Sequence, residues 1–156
     1  MKRLILMRHA KSDWSGGGND HNRPLNPRGR KAAAALGDWL RAHDLLPDQV
    51  LSSSSMRTHE TFVRLDLPQD IDVIFTRALY LATHDEILKA MRNASGDTIL
   101  TLGHNPGSGI AASQILASPQ ITLSSNSIQP VRRWWPISTS TTGKMRTGEK
   151  QSRDTL

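Results

Sequence analysis

Thr98-Ile99-Leu100-Thr101-Leu102, followed by Gly103-His104-Asn105-Pro106, is the stretch whose reading decides the fold. A short apolar run closed by turn residues reads as a strand buried in a sheet, and the segment beyond it, to about Leu116, reads as a helix. The same unit recurs upstream. Leu4-Ile5-Leu6-Met7 is a second buried run, ending in Arg8-His9. Val50-Leu51 opens a third, which runs through Ser52-Ser53-Ser54-Ser55 into a helix from about Met56 with Phe62 and Leu65 on one side. Between these, Asn26-Pro27 supplies an N-cap and a first-turn proline for a helix striped by Ala32, Leu36, Trp39 and Leu40. Ile71, Val73 and Phe75 alternate as in a half-buried strand, and Thr83-His84-Asp85-Glu86 has the form of a capping box. Alternating strands and helices predict an α/β protein, a three-layer sandwich around a mostly parallel sheet.

The bulk properties set limits. A chain of 156 residues suits one domain, since two halves would each bury too little surface. The chain has no cysteine, which excludes disulfides, thiolate catalysis and Cys-based zinc sites, and fits a cytoplasmic protein. The apolar run near the N-terminus is cut by Arg8-His9 before a signal segment forms, and no run is long enough to span a bilayer. The net charge of +6 is concentrated at one end: residues 131–156 hold Arg132, Arg133, Lys144, Arg146, Lys150 and Arg153 against Glu149 and Asp154. The charge therefore describes a tail rather than the body, and nucleic acid is not an expected partner.

Ligands of open α/β sheets collect at the carboxyl ends of the strands. Here those ends carry Arg8-His9, the serine run leading to Arg57, and Gly103-His104. Arginine forks match phosphate oxygens. A metal cation beside Arg8 and Arg57 would be repelled with no carboxylate at matching strand ends to offset it, so no metal and no cofactor are expected. Without a cysteine or a Gly-x-Ser-x-Gly elbow, an imidazole is the natural nucleophile.

Four blocks in order resemble the histidine phosphatase superfamily, the phosphoglycerate-mutase-like enzymes. They are Leu6-Met7-Arg8-His9-Ala10-Lys11-Ser12, Arg23-Pro24-Leu25-Asn26-Pro27-Arg28-Gly29, Ser52-Ser53 with Met56-Arg57-Thr58-His59-Glu60-Thr61, and Gly103-His104-Asn105-Pro106-Gly107. The short length and the Arg-His-Ala and Gly-His-Asn-Pro variants resemble the SixA-like phosphohistidine phosphatases. The resemblance implies a domain over residues 1–120, in which His9 attacks phosphorus and becomes a phosphohistidine intermediate. Arg8, Arg57 and His104 would hold the phosphoryl oxygens, with His9 neutral and His104 protonated, and Ser12 either donates to phosphate or caps a turn. Asp85 or Glu86 stands where phosphomonoesterases of the superfamily supply an acid, yet both equally suit a helix's first turn. An imidazole leaving group needs less protonation than an alkoxide, which favours phosphohistidine on a protein. The alternatives are a small-molecule phosphomonoesterase and a non-catalytic phosphoprotein-binding module. A monomer is expected. Glu60, Arg23 and Arg28 read as structural, and His21, His43, His59 and His84 as solvated.

Residues 121–156 break the pattern, with Ser124-Ser125-Asn126-Ser127 and Trp134-Trp135-Pro136 showing neither period. Read one nucleotide early, with permitted synonymous codons, residues 127–142 spell Asn-Pro-Thr-Gly-Ala-Ala-Val-Val-Ala-Asp-Phe-Asp-Ile-Asp-Asp-Trp. The resemblance implies a segment of that kind here. The expectation is a reading-frame slip between about 117 and 126, which leaves the C-terminal strand region lost or irregular.

Overall fold

The computed structural model describes residues 2–117, so the readings made for 121–156 lie outside the described residues. Four strands, β1 (Arg3–Arg8), β2 (Gln49–Ser53), β3 (Asp72–Thr76) and β4 (Thr98–Gly103), form one sheet in the order β1-β4-β2-β3, every pair parallel. Four helices connect or follow them: α1 (Pro27–Ala42), α2 (Met56–Leu65), α3 (His84–Asn93) and α4 (Gly107–Ala117). The predicted α/β, three-layer, parallel architecture is the one observed.

Strand periodicity divides the core into two layers. Val50, Leu100 and Leu102 face one way and pack with Leu40 of α1 and Leu65 of α2. Leu51 and Ile99 face the other way, against Ile87, Leu88 and Met91 of α3 and Ala111 of α4. Ile99, Leu100 and Leu102 are fully buried, each contributing about 1.5–3 kcal/mol relative to exposure. β4 is apolar on both faces because helices cover both, the mark of a parallel sheet.

Local chemistry fixes the connections. The Asn26 side chain accepts from the Gly29 amide, so Pro27 lies in the first turn as its fixed φ requires. Thr83 and Glu86 form the predicted capping box of α3. Gly37 is where α1 meets α2, since a Cβ there would stand 2.1 Å from the Leu65 carbonyl oxygen. Among the described residues, no helix is long and apolar enough to cross a membrane.

Candidate active site

The sheet's register builds the site. β1 and β4 are adjacent, with Arg8 opposite Gly103, so His9 and His104 each emerge one residue beyond a paired position. Their rings lie 5.2 Å apart between centroids. β2 flanks β4 on its other side, with Ser52 opposite Leu102. Ser53 therefore ends level with Gly103, one residue short of His104, and its Oγ lies 2.8 Å from His104 Nε2. Arg57, in the first turn of α2, reaches back over these strand ends and is only 2% exposed.

The hydrogen bonds define the two imidazole tautomers. His9 Nδ1 lies 2.7 Å from the Ala10 carbonyl, which can only accept, so Nδ1 carries the proton and Nε2 the lone pair. Arg57 Nε donates to that Nε2 at 3.3 Å. Arg57 Nη2 donates to His104 Nδ1 at 3.3 Å, so the His104 proton sits on Nε2 and points at Ser53. Burial lowers the pKa of His9 to about 4, with the charges of Arg57, Arg8 and Arg23 acting in the same direction. Burial likewise lowers His104 to about 3, followed by the influence of His9 and Arg57. Both rings are thus neutral near pH 7. The expectation of a protonated His104 is corrected, because desolvation and a buried guanidinium oppose a second cation there.

The block Arg57-Thr58-His59-Glu60-Thr61 has a structural use for nearly every residue. Thr58 Oγ1 donates to the Ser53 carbonyl at 2.7 Å. Thr61 Oγ1 donates to the Arg57 carbonyl at 2.7 Å and accepts from the Ala10 amide at 3.0 Å, tying the residue after His9 to the turn that carries Arg57. Glu60 accepts from the Leu25 amide and pairs with Arg30, so it braces the loop before α1.

Three of the four residues singled out from sequence meet: His9, Arg57 and His104. Arg8 ends β1 immediately before His9. It is exposed and makes no hydrogen bond to the other three among the described residues, although its charge disfavours protonation of both histidines. Ser12 is buried, its hydroxyl accepting from Arg23, and it pairs with Leu25 in an isolated bridge. Glu86 is committed to the α3 cap, where the Thr83 amide lowers its pKa, and Asp85 is exposed beside His84.

Sequence reasoning missed Asp20, Tyr80, His21 and Ser53. The Asp20 carbonyl accepts from Arg57 Nη1 at 2.6 Å, and its carboxylate accepts from Arg57 Nη2 at 3.0 Å and from the Tyr80 hydroxyl at 2.7 Å. Arg23 forks onto the other carboxylate oxygen at 3.1 and 2.8 Å. His21, read as solvated, is half-buried, lies 3.0 Å from Ser54 Oγ and packs edge-on to Tyr80 at 4.8 Å. The only sequence signal for Asp20 was its place three residues before Arg23, in the spacing of a short turn.

A buried arginine and two neutral imidazoles thus meet at the carboxyl ends of a parallel sheet in an α/β protein. Residues 4–80 match the profile of the histidine phosphatase superfamily (branch 1), and the chain belongs to that superfamily. An uncharacterized protein of Mycobacterium tuberculosis is 37% identical over 115 residues, covering 72% of this chain and 70% of that one. The chain is SixA-like. The SixA structure of Nakamurella multipartitia superposes with a TM-score of 0.64 at 36% identity, over 69% of this chain and 62% of that one. The SixA structure of Agrobacterium tumefaciens gives 0.69 at 26% identity, over 72% and 75%.

Proposed function

We propose that the protein is a phosphatase that removes the phosphoryl group from phosphohistidine on a protein, with His9 as nucleophile. The observation that carries this reading is the tautomer of His9. Its Nδ1 proton is held by the Ala10 carbonyl, which leaves the Nε2 lone pair facing the one space that Arg57 and His104 share. The lone pair attacks phosphorus, the bond to the leaving group breaks, and a phospho-His9 enzyme forms. Water then cleaves the new P–N bond, releasing phosphate and returning the lone pair to Nε2. Arg57 donates to the phosphoryl oxygens. His104 joins it once a dianion in the pocket favours a proton on Nδ1. Arg8 supplies positive potential at the strand end.

Two things support the substrate class. Asp85 and Glu86, the carboxyl groups suggested by sequence, are exposed and engaged at a helix start, so neither is an acid poised for an alkoxide. The two SixA relatives also bear the name of a phosphohistidine phosphatase. The test is to trap a labelled, acid-labile phosphoenzyme from a phosphohistidine protein. Wild type should label and His9→Ala should not. Labelling that survives His9→Ala sinks the nucleophile assignment, and turnover confined to sugar phosphates sinks the substrate class.

A further inference from the structure

Resting on the phosphohistidine reading, we propose that Asp20 selects the leaving group: its carboxylate, on the solvent side of Arg57, accepts a hydrogen bond from the protonated far nitrogen of the phosphorylated imidazole. Among the described residues, Asp20 is the carboxylate bonded to the His9–Arg57–His104 cluster. The cluster itself is buried, whereas the Asp20 side chain is 43% exposed, so among the described residues Asp20 links the cluster to solvent. Tyr80 lies beside it, edge-on to His104 at 5.5 Å and to His21 at 4.8 Å, and these rings line one wall suited to a planar group.

The role follows from what Asp20 can and cannot do. Hydrogen bonds from Tyr80 and Arg23 hold its carboxyl well below the usual carboxylate range, with the Arg57 charge acting the same way. It is therefore an acceptor and has no proton to give an alkoxide. A phosphohistidine ring protonated on its other nitrogen is a cation, the complement of such a group. When the His9 Nε2 lone pair bonds to phosphorus, the P–N bond to the substrate breaks. Its electron pair returns to the ring, which leaves as neutral imidazole with the proton it already carried. No acid is consumed. By favouring the protonated ring, the carboxylate selects the form in which imidazole departs readily, while adding repulsion toward substrates whose remaining groups are anionic.

The experiment compares N-phosphoimidazole, whose leaving group is this ring, with p-nitrophenyl phosphate, whose leaving group has no cationic form. It uses the full chain and Asp20→Asn, which keeps an oxygen acceptor for Tyr80 and Arg57. The ratio of kcat/KM for phosphoimidazole to that for p-nitrophenyl phosphate is expected to fall at least tenfold, while inorganic phosphate inhibits at severalfold lower concentration because a nearby negative charge is gone. Equal losses on both substrates with weaker phosphate inhibition would mean that Asp20 only places Arg57, and would overturn the proposal. Tyr80→Phe removes one tether but keeps the charge, so it should lower both rates together; a loss of preference equal to that in Asp20→Asn would overturn it as well. Wild-type turnover of p-nitrophenyl phosphate without turnover of phosphoimidazole or a phosphohistidine peptide is a different failure. It removes the substrate reading itself, and this inference with it.

Discussion

The floor of the pocket consists of side chains that strand register places: His9 and His104 on neighbouring strands, Ser53 on the next, Arg57 one helical turn away. The rim consists of Asp20, His21 and Tyr80, which come from a loop and a strand-to-helix connection and hold one another through hydrogen bonds and ring edges. The floor is buried and each of its bonds ends on backbone or on another floor residue, Arg57's contact with Asp20 excepted. The rim is half open to water. On the proposed reading, floor residues serve any phosphoryl substrate, whereas rim residues meet what the phosphoryl group is attached to.

The largest effect should come from breaking the floor. Arg57→Ala removes the guanidinium shared by His9, His104 and Asp20, and a loss of one preorganised donor of this kind costs about 10²–10³ in kcat. The loss should be similar for phosphohistidine and aryl phosphate. A loss confined to one of them would erase the distinction between floor and rim. Ser53→Ala should act on the floor more weakly, about tenfold or less in kcat, because it frees the His104 tautomer without removing the ring; an unchanged kcat would show that Ser53 does not set it.

The two floor histidines also carry a pH signature. His9 and His104 stay neutral in the fold down to about pH 4 and about pH 3, whereas an unfolded histidine takes up a proton near 6.5. Between those values the unfolded chain binds more protons, so stability should fall as pH drops from about 6.5 toward 4. Asp20, whose carboxyl is depressed, contributes in the same direction only at lower pH. Urea denaturation at pH 7 and pH 4.5 should therefore show a loss in wild type that is smaller in a His9→Gln, His104→Gln double variant. An identical loss in both would mean that other groups carry it.

Floor and rim also differ in how far the sequence revealed them. His9, Arg57 and His104 were legible because strands have one dependable property: in a parallel sheet their carboxyl ends lie together, so chemistry at the end of an apolar run has a known address. The sheet, the Asn26 cap and the capping box of α3 were legible for the same reason, since each is a local pattern with a fixed geometry. Asp20 and Tyr80 lie 60 residues apart and meet through the path of a glycine-containing loop, which no period encodes. The tautomers depend on single carbonyl and hydroxyl contacts at Ala10 and Ser53, and these exist only once the backbone is folded.

The smallest effect belongs to a pair that sequence placed near the chemistry and the structure places in a helix start. Thr83 accepts from the Glu86 amide while Glu86 accepts from the Thr83 amide, satisfying two donors that α3 would otherwise leave unpaired. Thr83→Ala should cost about 1 kcal/mol and lower Tm by about 2–4 °C in a chain of this size. Glu86→Ala should shift Tm in the same direction by less, because the remaining hydroxyl still accepts from the N3 amide. Turnover of phosphohistidine should stay at the wild-type level in Glu86→Ala when measured below both melting transitions. A tenfold or greater fall in kcat with loss of the alkaline limb of its pH profile would return Glu86 to the role of acid, and with it the case for an alkoxide leaving group.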